Sequence, residues 1–168
     1  TFVLLDRKVD LDRAGNVNVS RFGPKLAGAG GFINISQSAK TLVIVGTFCA
    51  GKCQIEVTDG RLRVLSDGPA AKFVEQVEHC TFSGRHGAAK GQPVLYVTEC
   101  AVFRLGDSGP DLAEIAPGLD VEALFARMGF RPAVAVDCRP MDSRLFAPDR
   151  MGLAADIASR PPRRGSPR

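Results

Sequence analysis

A chain of 168 residues, 45% hydrophobic and 24% charged, has the make-up of one average soluble domain able to bury a core. No run of 18 apolar residues occurs, which argues against a transmembrane helix, and Thr1-Phe2-Val3-Leu4-Leu5-Asp6 lacks the parts of a signal peptide. The net charge of +4 resides in the tail, where Ser159 to Arg168 holds Arg160, Arg163, Arg164 and Arg168 and no acid; the near-neutral body argues against a nucleic-acid footprint.

In chain order, Thr1 to Leu5 is a short apolar run that reads as a strand, and Asp12-Arg13-Ala14-Gly15-Asn16 is a turn signal. Asn16 to Ser20 alternates polar and apolar, the period of a half-buried strand. Arg21 to Lys25 contains Gly23-Pro24 and reads as loop. Gly28-Ala29-Gly30-Gly31-Phe32 then leads into Ile33 to Lys40, long enough for about two helical turns. Glycines entering a helix leave N–H groups free to face an anion or an oxyanion, and they also serve as plain turns. Thr41 to Phe48 is a nearly continuous β-branched run, read as a strand covered on both faces in a parallel sheet. Glycine loop, short helix and buried strand together predict an α/β layer fold.

Gln54 to Ser66 reads as a hairpin about Asp59-Gly60, the dipeptide of a type I′ turn. Phe73 to Cys80 fits strand or helix, and Thr81 to Gly91 a loop with a helical turn. Val94 to Thr98 is a strand, and Ala101–Leu105 and Leu112–Ile115 flank a second hairpin turn. Asp120 caps a helix whose apolar positions are Val121, Leu124, Phe125 and Met128, with Gly129 past its end. Ala133 to Val136 is a last strand. The expected organisation is one domain over residues 1–150 and a basic, Pro- and Arg-rich disordered tail over 151–168.

Chemistry read from residue types is sparse. Cys49, Cys53, Cys80, Cys100 and Cys138 are odd in number and lie among apolar residues, which fits reduced, buried thiols in the cytoplasm. Cys49 and Cys53 with His79-Cys80 lack a standard zinc spacing, so no metal is expected. His79 and His86 have no nucleophile motif beside them. Ser83 to His86 reads as a polar loop, Tyr96 as core, and Glu99 and Glu114 as hairpin salt-bridge residues. Gly51-Lys52-Cys53 fails as a phosphate-binding Gly-Lys-Ser/Thr.

Taken together, Gly15 to Phe22, Gly28 to Ile35, Thr41 to Phe48, Cys80 to Gly84, Tyr96 to Phe103, Glu114 to Asp120 and Met141 to Phe146 occur in an order that resembles the β half of family I CoA-transferases of the acetate/propionate type. The resemblance implies a NagB/RpiA-like α/β layered fold with a mostly parallel sheet and added β-hairpins. It also implies transfer of CoA from an acyl-CoA to a short-chain carboxylate, as in short-chain fatty acid and ketone body metabolism, with coenzyme A as substrate and no permanently bound cofactor. In such enzymes a glutamate attacks the thioester, and a glutamyl-CoA thioester follows. The glycine-loop role, backbone groups beside the CoA thioester, falls on Gly28, Gly30 and Gly31, with Phe32 as packing or as a CoA contact. The family's nucleophile motif, Glu-Asn-Gly or Glu-Ser-Gly, is not found before Gly28, and the first 27 residues hold no glutamate. No catalytic residue is therefore assigned. The chain is expected to be the C-terminal part of a β half, inactive alone and either oligomeric or completed by a partner chain. A catalytically silent CoA-binding remnant of the same fold is the alternative.

Overall fold

The computed structural model describes residues 2–5, as backbone, and 9–161. Along the chain, β1 (Phe2–Leu5), β2 (Asp10–Asp12), β3 (Val17–Asn18), β4 (Arg21–Phe22) and β5 (Lys25–Leu26) lead to helix α1 (Phe32–Ser38). Strand β6 (Leu42–Val45) follows, then β7 (Cys49–Ala50), the hairpin β8 (Gln54–Thr58) and β9 (Arg61–Ser66), and the short β10 (Ala70–Ala71) and β11 (Phe73–Val74). Helix α2 (Gly84–Ala89), β12 (Val94–Val97), β13 (Ala101–Gly106), β14 (Gly109–Ile115), α3 (Val121–Phe125), β15 (Ala133–Pro140) and α4 (Leu153–Ala158) complete the order, with a 3-10 turn at Ser143–Phe146.

Six strands form one sheet in the order β1-β6-β12-β13-β14-β15. The pairs β1–β6, β6–β12 and β14–β15 are parallel, and β12–β13 and β13–β14 are antiparallel. The sheet is thus mixed, with the parallel part where the apolar run predicted it. In β6 the residues on one face, Leu42 and Ile44, are buried and those on the other only partly so. Phe48, Phe73 and Phe103 of β13 form a chain of aromatic contacts in the core, stacked at a centroid distance of 4.7 Å and tilted at 5.1 Å. Such aromatic contacts add about 1 kcal/mol each to the area they bury.

Several sequence expectations need correcting. The alternation at Asn16 to Ser20 is not a half-buried strand: Val17, Asn18, Val19 and Ser20 are all buried, because the segment is clamped between β2 and the Thr81-Phe82 segment. The Arg21–Lys25 loop is a small hairpin, β4–β5, around Gly23-Pro24. The Asp120-capped helix stops at Phe125, three residues short of Met128, and its chain turns until the Gly129 N–H reaches the Phe73 carbonyl. Phe73 to Cys80 supplies only the two-residue β11. Of the cysteines only Cys49 and Cys100 are buried, while Cys80 is exposed. Within the stretch read as tail, Leu153–Ala158 is helical, and residues 162–168 lie outside the described part, as do Asp6, Arg7 and Lys8.

The Asp59-Gly60 turn does close β8–β9, with φ of +53° and +72° at the two residues as a type I′ turn needs. Among the described residues no helix is long and apolar enough to cross a membrane.

Candidate functional site

The glycine loop owes its shape to backbone freedom. Gly28 and Gly30 adopt φ of +78° and +52°, in the left-handed region that side chains resist. A Cβ at either position would meet nothing within 4 Å, so no packed neighbour explains the glycines. Gly31 occupies the N-cap of α1, with no side-chain cap, and Phe32 is buried against the core. The chain enters the loop by two bonds to one acceptor: the N–H groups of Ala27 and Gly28 both donate to the Ser20 carbonyl, at 2.7 and 3.2 Å. The N–H groups of Ala29, Gly30 and Gly31 have no partner among the described residues.

Helix α1 fixes where the loop points. Gln92, just ahead of β12, donates from Nε2 to the carbonyls of Ser36 and Ala39 at the helix end, each at 2.7 Å, and Lys90 Nζ donates to Gln37 at 2.9 Å. These bonds seat the C-terminus of α1 at the edge where β6 and β12 begin. The loop lies at the opposite end of the seven-residue helix, about 10 Å away at 1.5 Å per residue. An exposed loop of unpartnered N–H groups, open where a side chain would stand, fits the oxyanion or thioester of a ligand.

Ser20 is itself buried, and its Oγ lies 2.6 Å from Nδ1 of the exposed His79. Asn18, also buried, accepts the N–H groups of Ser20 and Arg21 at Oδ1. Sequence spacing does not pair Ser20 with His79, since 59 residues separate them. The available signal was two polar side chains in an otherwise apolar segment, which the sheet period sent to solvent.

A second group of polar side chains gathers beyond the C-terminal ends of β6 and β12. Both carboxylate oxygens of Glu99 accept the Phe48 N–H, at 3.1 and 3.0 Å. Glu99 is therefore a turn anchor, not the salt-bridge residue expected. Glu114 does pair, with Arg139 on the neighbouring strand at 2.7 Å. Arg127 lies over the Phe48 ring at 4.8 Å and pairs with Asp67, while its buried Nη2 has no partner among the described residues. It lines a cleft of about 180 Å³ with Phe48, Cys49 and Asp67. Burial, then the Glu99 charge, pushes the Cys100 thiol from its ordinary 9.0 to about 12, and burial pushes Cys53 to about 11. Both thiols are therefore poor nucleophiles at neutral pH. Among the described residues no three His, Cys, Asp or Glu side chains are grouped to hold a metal. Ser83, in the stretch read as polar loop, caps α2 through the His86 N–H, and Tyr96 is core as expected, its hydroxyl donating to the Gly15 carbonyl at 2.7 Å.

A mixed sheet with a helix entered through an open glycine loop makes this a layered α/β protein, and comparison with known proteins shows which layered α/β proteins it resembles. No family model matches the chain. It is 45% identical over 148 residues to a caffeate CoA-transferase of Acetobacterium woodii, covering 84% of this chain and 28% of that protein. It is 40% identical over 151 residues to the acetate CoA-transferase YdiF of Escherichia coli K12, covering 89% of this chain and 28% of that protein. The acyl-CoA transferase YdiF of E. coli O157:H7, solved as a thioester complex with CoA, superposes with a TM-score of 0.81 at 38% identity, covering 87% of this chain and 29% of that one. The chain is thus similar in sequence and fold to known CoA-transferases, in line with its sequence resemblance, and spans less than a third of the length of these relatives.

Proposed function

We propose that this chain forms the glycine-loop side of a CoA-transferase active site, and that Gly28, Gly30 and Gly31 offer backbone N–H groups to the thioester of an acyl-CoA. The observation that carries the reading is the combination of positive φ and empty space at Gly28 and Gly30 with unpartnered N–H groups at Ala29, Gly30 and Gly31. Phe32, buried at the first helical position, holds the loop to the core beside the bound thioester.

In this reaction a glutamate carboxylate attacks the acyl-CoA carbonyl and the thiolate leaves, giving an acyl anhydride. The CoA thiolate then attacks the glutamyl carbonyl and releases the acid, and an acceptor carboxylate reverses the sequence. Each addition passes through an oxyanion, the charge that aligned N–H donors stabilise. The reading assigns the nucleophilic glutamate to protein outside this chain, since no Glu precedes the loop and Glu99 and Glu114 are engaged in turn and strand contacts. It adds short-chain carboxylates as acceptors, a partner segment or oligomer completing the site, and a cytoplasmic setting consistent with five unpaired thiols.

Titration calorimetry with CoA and acetyl-CoA tests the loop. The expected result is measurable binding that Gly30→Val weakens at least tenfold, about 1.4 kcal/mol. Equal affinity in the two proteins overturns the assignment. Incubation of the chain alone with acetyl-CoA and propionate is expected to give no propionyl-CoA, and turnover would place the nucleophile within these residues.

A further inference from the structure

We infer that His79 is a positioning residue of the glycine loop, acting through Ser20. The inference rests on the CoA-binding reading of that loop and adds to it a residue remote in sequence. Residues 79–82 run along residues 17–20 as an irregular ladder. Val17 and Phe82 exchange backbone bonds at 2.9 and 3.1 Å, Thr81 Oγ1 donates to the Val17 carbonyl at 2.7 Å, and the Val19 N–H donates to Thr81 Oγ1 at 3.0 Å. The last rung is the bond between Ser20 Oγ and His79 Nδ1 at 2.6 Å. Beyond it the chain leaves the ladder and turns through β4–β5 into the glycine loop.

The main-chain carbonyl of Ser20 accepts both Ala27 N–H and Gly28 N–H. Ser20 is therefore held on one side by its hydroxyl and in turn holds the entry of the loop with its carbonyl. Its N–H is also fixed, to Asn18 Oδ1 at 3.1 Å. The histidine side is the one that distinguishes a positioned loop from a merely folded one. His79 is exposed, so the core loses little apolar burial when its ring is removed, whereas the buried hydroxyl of Ser20 loses its hydrogen bond to Nδ1. The neighbouring Glu78 reinforces the clamp, accepting the Gly23 N–H at 2.7 Å and pairing with Arg21 at 3.1 Å. Two consecutive side chains of one segment thus grip the β4–β5 hairpin and the residue that anchors the glycine loop.

Amide hydrogen exchange on the full chain without ligand, followed by calorimetry with CoA, tests the inference. In His79→Ala, and equally in Ser20→Ala, the amides of Ala27 and Gly28 are expected to exchange at least tenfold faster. Those of Val17, Thr81 and Phe82 keep their wild-type rates, and the CoA dissociation constant rises. His79→Asn, which places a polar δ atom near Ser20 Oγ, is expected to restore most of the protection and affinity. Unchanged exchange at Ala27 and Gly28 overturns the inference, as does faster exchange spread evenly over the ladder. Exchange reads the loop with no CoA present, so a failure of CoA binding in the wild-type chain is a separate result that bears on the reading above.

Discussion

Two glycine-bearing turns of this chain contrast in what surrounds them. At the turn around Gly15, space is full. A Cβ at Gly84 would strike the Ala14 carbonyl, and one at Gly109 the Arg13 carbonyl. Asp12, buried beneath, accepts the N–H groups of Ala14 and Asn16 and the Asn16 amide, while Tyr96 donates to Gly15 from below. At Gly28 and Gly30 the surroundings are empty within 4 Å and the loop faces solvent. The first set of glycines lets backbone segments touch, a requirement of folding. The second set leaves room for something that is not part of the fold, and that difference separates a structural glycine from a binding one more sharply than the sequence motif does.

The largest effect expected on this comparison is at the closed turn. Gly84→Ala drives a methyl group into backbone, which cannot yield as a side chain can, and is expected to destabilise the chain by about 3 kcal/mol or more in urea unfolding. A wild-type midpoint would show that the turn gives way to the added methyl group. Next comes alkaline pH. Burial, then the charge of Asp12, raises the Tyr96 hydroxyl well above its ordinary 10.0. The unfolded chain releases that proton above pH 10 and the folded chain keeps it, so stability from this group is whole below pH 10 and falls above it. One proton corresponds to about 1.4 kcal/mol per pH unit. Tyr96→Phe should remove that part of the slope in denaturant titrations from pH 9 to 11, and an unaltered slope would count against a protonated buried tyrosine. The smallest stability effect belongs to the open loop. Gly28→Ala carries only the strain of a left-handed backbone, about 1 kcal/mol, with a shift of a few degrees in melting temperature. A loss as large as that of Gly84→Ala would mean the loop is packed after all.

Much of the fold was legible because its signals are local. The run Thr41 to Phe48 marked the parallel strand between β1 and β12, Asp59-Gly60 supplied both positive-φ residues of its hairpin, and Asp120 capped its helix through the Ala123 N–H at 3.0 Å. What escaped was set by distant partners. Asn18 and Ser20 looked solvent-facing, yet the Thr81-Phe82 segment, more than 60 residues on, covers that stretch and leaves both side chains to be satisfied inside. Glu99 has the sequence context of a surface pairing residue, but its two oxygens both accept the Phe48 N–H, 51 residues back. For the candidate site, the glycine loop was visible as a motif, but its openness was not, since emptiness is a property of neighbours and not of the glycines themselves. Nothing local pairs Ser20 with His79, which lies 59 residues on; the polar residues of the Asn16–Ser20 run marked only one side of the contact.

Tyr96 has a practical consequence for anyone who studies this molecule in solution. The chain has no tryptophan and one tyrosine. That tyrosine is nearly fully enclosed and bonded to Gly15. Tyrosine emission excited near 280 nm is therefore a single-site optical reporter of the closed turn, built in without labelling. It should follow opening of the Asp12 turn and global unfolding, and it should be blind to events confined to Gly28–Phe32, so that a CoA titration that changes the emission would reveal coupling between the two turns.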